Sequence, residues 1–152
     1  MNNLVLQKIS NGLSGALAAS IMFMGGIYVY SMFFEDPYLH YAPMPFPITE
    51  KVYPGAAAVA LATRCNSQKT TLSYRTTRTL IPEDPYQKTV VLPGVEVTAD
   101  PGCTTVSTRV NVVPIDTPMG FYRFAGVATV PGLMIDHKVN WNTEIFEVVQ
   151  KP

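Results

Sequence analysis

Charged side chains are scarce: they make up 14% of the 152 residues, balance to a formal net charge of zero, and before Glu35 are represented by Lys8 alone. Without a basic excess there is no electrostatic footprint for a nucleic-acid surface, so no nucleic-acid partner is expected. Histidine is rarer still. His40 and His137 lie far apart in sequence, and neither has a cysteine or carboxylate at ligand spacing, so no metal site is expected. The chain also lacks a Gly-rich phosphate loop, an HExxH, a Cys-x-x-Cys and a Gly-x-Ser-x-Gly. A Ser–His–Asp set would have to join His137 to its neighbour Asp136, and adjacent residues on a strand face opposite ways. Glu83-Asp84, Asp100 and Asp116 stand in proline-containing turn contexts, where aspartate commonly caps backbone groups. Neither enzyme activity nor a cofactor is expected.

What the scarcity of charge leaves is one long uncharged interval. Leu13 to Phe34 reads LSGALAASIMFMGGIYVYSMFF, free of charge and proline. As a helix at 1.5 Å per residue it is about 33 Å long, enough for a hydrocarbon core of roughly 30 Å. The reading is a short cytoplasmic N-terminus (1–12) and a transmembrane helix (13–34), with a lipid bilayer as the first partner. Ala16-Leu17-Ala18 resembles a signal-peptide cleavage site, but cutting there would leave Ile21 to Phe34 at the new N-terminus, so a retained anchor is preferred. Lys8 on one flank and Glu35 and Asp36 on the other place the C-terminal part outside the cytoplasm, periplasmic or extracellular, or on a virion membrane. Gly12, Gly15, Ala19 and Gly26 fall on roughly one helical stripe and are the candidate helix-packing face; small residues are also simply common in membrane helices.

Between Asp36 and Gly55 stand Pro37, Pro43, Pro45, Pro47 and Pro54. Proline fixes its φ and has no N–H, so residues 35–55 read as an extended, semi-rigid stalk unless Tyr38, Tyr41, Met44 and Phe46 pack back. From Ala56 on the texture changes to Val- and Thr-rich runs: 57–65, 70–81, 89–97, 104–113, 121–130, 134–140 and 144–149. They are separated by Pro82 to Pro85, Pro93-Gly94, Asp100-Pro101-Gly102 and Pro131-Gly132. About seven short strands without an amphipathic helix predict an all-β sandwich over 56–152.

Cys65 and Cys103 are the only cysteines and both fall in the outer part, so they read as one disulfide. Lys51, Arg64, Lys69, Arg75 and Arg78 run with no acidic residue before Pro82; the last four are candidates for an anionic contact, against the plainer role of a solvated strand face. Trp141, between two asparagines, is either a contact residue or core.

Pro118-Met119-Gly120-Phe121-Tyr122 resembles the tyrosine corner of immunoglobulin-like sandwiches, which implies that the Tyr122 hydroxyl bonds back to nearby backbone and that Gly120 shapes the corner. The chain has Phe124 where that family often has cysteine, so its disulfide is not the usual inter-sheet one. The whole layout of anchor, Pro-rich segment, Arg64-Cys65, Pro101-Gly102-Cys103, Val113-Pro114, Pro118-x-Gly120-x-Tyr122 and Thr143-Glu144-x-Phe146-x-Val148 is similar to small uncharacterised membrane-anchored proteins of bacteriophages and their bacterial hosts. That resemblance implies an envelope or virion setting and a sandwich fold, and nothing about chemistry. The expected role is structural: a single-pass protein whose immunoglobulin-like domain docks to a capsid, envelope or membrane-complex partner, with homo-oligomerisation left open. A tethered ligand- or glycan-binding module and an accessory subunit of a larger membrane complex are the alternatives; an aromatic-lined pocket would favour the ligand module, a broad apolar patch the structural readings.

Overall fold

The computed structural model describes residues 3–42 and 44–151, with side chains outside 3–11 and 108–111. Met1, Asn2 and Pro43, parts of the N-terminal and stalk readings, lie outside the described residues. The chain divides into two units, one containing the N-terminal helix with Gly132–Asp136, the other running over Pro37–Pro131 and from His137 onward.

The helical unit is built on α1, Asn3–Phe33, which starts ten residues before the expected Leu13. Residues 3–12 contain no proline, and nothing in them stops a helix from extending. Within α1, Gly12–Phe33 is long and apolar enough to cross a membrane, with a mean hydropathy of 1.6. Its end is tied locally. The Phe34 and Glu35 amides both donate to the Tyr30 carbonyl, at 2.9 and 3.0 Å. Buried Ser31 donates to the Glu35 carboxylate, which accepts the Leu133 amide at 3.0 and 3.2 Å, while Ser31 Oγ accepts the Met134 amide at 3.3 Å. Glu35 thus has a bonding role beyond that of a charged helix flank.

The regular structure of the other unit is strand. Sequence order gives β1 Leu39–Ala42, β2 Lys51–Val52, β3 Ala57–Asn66, β4 Leu72–Pro82, β5 Val90–Ala99, β6 Gly102–Val112, β7 Gly120–Val130, β8 His137–Asn142 and β9 Phe146–Val148. One sheet has the order β1-β3-β6; the other runs β2-β9-β7-β4-β5, with β8 also paired to β7. Every neighbour pair is antiparallel except β2 and β9. The two sheets make a sandwich, as the succession of short Val- and Thr-rich runs predicts.

The stalk reading of 35–55 needs correction, and so does the domain start at 56. Leu39, Phe46 and Val52 are buried, β1 pairs with β3, β2 pairs with β9, and Phe46 and Ile48 bridge to Thr143 and Ala60. Burying a side chain of that size contributes about 1.5–3 kcal/mol, which outweighs the extended, solvated form that the prolines favour. Pro93-Gly94 also departs from expectation, because it lies inside β5 and does not end it. β5 is an edge strand, where a missing N–H is tolerated, and the β4–β5 register shifts at the same level.

On β4 burial alternates, with Leu72, Tyr74, Thr76 and Leu80 buried. On β3 the inward set is Ala58 and Ala60, while the larger Val59 and Leu61 face out. The main core gathers Phe46, Val52, Leu80, Tyr122, Phe124, Trp141, Phe146 and Val148; a second cluster surrounds Leu39, Leu72, Tyr74, Ala99, Ala128 and Val130. Cys65 and Cys103 stand opposite each other on β3 and β6 and are disulfide-bonded, 38 residues apart in sequence. The bridge lies within one sheet, as expected from Phe124, and contributes about 3–4 kcal/mol by loop-entropy reasoning.

Candidate functional site

Small residues on one inner face decide where the sandwich stays open. Ala60 and Ala62 of β3 present only methyl groups toward the opposite sheet, and the larger side chains around them do not fill the gap. What remains is a cleft of about 90 Å³ lined by both sheets: Tyr41, Ala60, Ala62, Arg64 and Val106 from one side, Phe46, Tyr74, Thr76, Arg78, Val95, Val97 and Trp141 from the other. Its polar groups are few and placed. The Tyr41 hydroxyl donates to the Tyr74 hydroxyl at 3.2 Å, and Arg64 Nη1 donates to the same oxygen at 3.4 Å. Arg78 Nη2 donates to the Pro93 carbonyl at 3.0 Å. The Trp141 indole N–H donates to Thr76 Oγ1 at 3.0 Å, and its ring stacks on Phe46 at 6.2 Å. Trp141 is therefore core that also forms the floor of the cleft.

Burial sets the electrostatics. It pushes the Tyr41 phenol far above its ordinary range, the Tyr74 hydroxyl adding to the effect and Arg64 opposing it. Burial also lowers the Arg78 guanidinium. Tyr41 is thus a neutral hydrogen-bonding group near neutral pH, and Arg64 and Arg78 are the basic side chains of the site. Such an arrangement can seat a compact apolar group that carries an acceptor or an anion at one end.

A raised phenol pKa has a consequence at high pH. The unfolded chain ionises Tyr41 near pH 10, the folded chain only well above it, so the native state holds the proton longer. That contribution to stability is complete below pH 10 and is lost as pH rises beyond it. Tyr122 is raised as well, by burial and then by the Asp84 carboxylate. Urea titrations at rising pH should show the denaturation midpoint falling from pH 10 upward. Tyr41→Phe should flatten that fall without abolishing it, and an unchanged slope in the variant would assign the alkaline loss to other groups.

Of the four basic residues expected to share an anionic contact, two are brought together and two are not. Arg64 and Arg78 line the cleft, whereas Arg75 lies on the other side of β4 with its guanidinium nitrogens within 4 Å of the space above Gly94, and Lys69 is exposed on the β3–β4 turn. Lys51 is paired with Glu147 at 3.6 Å. Strand alternation separates residues that a charge run treats as one. On α1, Gly12, Gly15, Ala19 and Gly26 are all exposed or half-exposed, and nothing stands within 4 Å of a Cβ built on the three glycines. Tyr122 donates to Pro118 O at 2.9 Å and to Gln87 Oε1 at 2.5 Å, and Gly120 has φ +150°. Tyr41 and Phe46 are the cleft residues that sequence reasoning placed elsewhere; their signal was four large apolar side chains in a segment that proline made look solvated.

No family model and no curated protein matches the chain. Among the solved structures that resemble it weakly are three at 10% identity. A family 123 glycoside hydrolase from Clostridium perfringens aligns over 70% of this chain and 23% of its own, with a TM-score of 0.38. Spo0M, a sporulation control protein from Bacillus subtilis, aligns over 78% and 50% at 0.37, and a superoxide reductase (neelaredoxin) from Ignicoccus hospitalis over 70% and 78% at 0.32. The chain thus spans half or less of the first two, and at these scores none of the three informs its activity.

Proposed function

We propose that this chain is a membrane-anchored docking protein: α1 holds it in a bilayer and the sandwich, displayed outside the cytoplasm, grips a protein partner through the Arg64–Tyr74 cleft. The size of that cleft carries the reading. Sites for small molecules and sugars run to roughly 300–1,000 Å³. A cleft of about 90 Å³ suits one aliphatic side chain, with Arg64 at hand for a neighbouring carboxylate of the same partner. At this cleft, size favours docking over the tethered ligand or glycan module, although aromatic rings do line it; a more open groove of about 480 Å³ lies on the other face of β4 and β7, beside Thr77, Thr79, Arg123 and Asn142.

The finer assignments rest on other supports. The Tyr122 bond to Pro118 O favours an immunoglobulin-like form of the sandwich. A bacterial envelope or phage virion setting follows from the layout of anchor and strand motifs.

The test is to purify the full-length chain from its native membranes or particles in mild detergent and identify what stays bound. A partner protein in fixed stoichiometry is expected, and Ala62→Leu, which fills the cleft from a half-buried position, should release it while the fold persists. Recovery of the chain alone, or undiminished binding by the filled variant, would rule the cleft out as the docking site.

A further inference from the structure

The three-stranded sheet ends on β6, which among the described residues has a strand neighbour on one side only. The direction of its backbone groups can be worked out. In an antiparallel ladder, residues facing each other at about 4.5 Å are the pairs that do not bond to one another; bonded pairs stand at about 5.5 Å. Cys65 and Cys103 have their Cα atoms 3.9 Å apart, which makes them a non-bonded pair. Thr63 and Thr105, two residues along, agree, because their hydroxyls meet at 2.8 Å. The far side of β3 gives the same answer. The Leu61 amide donates to the Pro47 carbonyl at 2.9 Å and the Val59 carbonyl accepts the Thr49 amide at 3.0 Å, so these odd-numbered residues aim their backbone away from β6. Their partners Cys103, Thr105 and Ser107 therefore turn N–H and C=O toward the open side.

This edge is undefended. Cys103, Thr104, Thr105 and Ser107 are exposed, and Gly102 to Thr108 holds no proline and no charge. The opposite sheet's edge strand, β5, shows the usual protection, with Pro93, Gly94 and Glu96 in its middle. A row of unpaired amides and carbonyls is recognised by another strand, whatever its side chains. A second copy of β6 is the strand that fits. Laid antiparallel across a two-fold axis it brings no like charges together and sets threonines opposite one another, a favourable cross-strand pair.

We propose that two copies of this chain pair along β6, antiparallel, about a two-fold axis near Thr105. The pairing uses an edge and not the cleft, so it stands or falls separately from the docking reading.

The experiment is sedimentation velocity on the full-length chain in detergent over a concentration series, with circular dichroism as the check on folding. Wild type should associate to a dimer. Thr105→Pro removes one outward N–H that the β3 ladder does not use, and should weaken association by roughly tenfold or more while the strand signal stays. Thr105→Lys, which puts two ammonium groups face to face at the axis, is the second variant should proline disturb the strand, and it too should dissociate the dimer. A wild type that is monomeric throughout, or dimers that survive folded Thr105→Lys, would overturn the proposal. So would a different protein bound in place of the second copy and released by either variant. Ala62→Leu should leave the dimer intact even where it releases a docked partner.

Discussion

Replacing Gly126 with alanine is expected to cost the sandwich about 3 kcal/mol, because among the described glycines it is the one where an added methyl group would meet the nearest atoms. A Cβ at that position would stand 2.2 Å from the Thr77 carbonyl oxygen and 2.5 Å from the Trp141 ring. One obstacle is backbone of the neighbouring strand β4 and the other is an indole held by Phe46 and Thr76, so neither can give way cheaply. Shortening Trp141 removes only the second obstacle. Gly126→Ala combined with Trp141→Leu should therefore stay well below wild type. Thermal unfolding followed by near-ultraviolet circular dichroism would show Gly126→Ala lowering Tm on the order of 15 °C. A shift of a degree or two would mean that β4 and β7 are not held as closely as described.

Phe124→Ala should lose about 3–5 kcal/mol, while Phe121→Ala, three residues earlier on β7, should change stability by less than about 1 kcal/mol. Phe124 is completely buried and stacks on Phe146 with ring centroids 5.1 Å apart; Phe121 is 59% exposed. A domain of this size has roughly 5–15 kcal/mol in all, so the first change removes a large share and the second almost none. Urea denaturation of the two variants side by side reads the contrast directly. Equal losses would mean that the faces of β7 are assigned wrongly.

Much of the sandwich was legible because its strands are separated by residues whose backbone chemistry is unambiguous. The run read as 57–65 is β3, Ala57–Asn66, and the run read as 121–130 is β7, Gly120–Val130. Pairing is a different matter. Leu39, Phe46 and Val52 sit among prolines, and β1 and β2 are too short to show a period, so only their distant partners β3 and β9 reveal them as strands. The inner face of β3 misleads for a related reason: larger residues are ordinarily inside, yet here the alanines are. They are inside because Phe46, Tyr74 and Trp141 reach across from other strands, and no local pattern carries that information. The cleft was invisible on the same account. Arg64 and Arg78 were singled out for charge, and their separation from Arg75 and Lys69 follows from which side of a strand each side chain takes.

The parallel pairing of β2 with β9 also fixes an order of events. Lys51 and Val52 are among the first residues of the sandwich to be made, and their partners Glu147 and Val148 are among the last residues described. In the sheet, β9 lies between β2 and β7, so the strand made last of those described is slotted into an interior position. While the chain grows, Val52 and one edge of β7 wait uncovered, and long-range contacts of this kind are slow to form. On the secretory route proposed for it, the nascent domain would cross the bilayer with its sheet unfinished, and its exposure to proteases and chaperones would end only when Phe146–Val148 arrive.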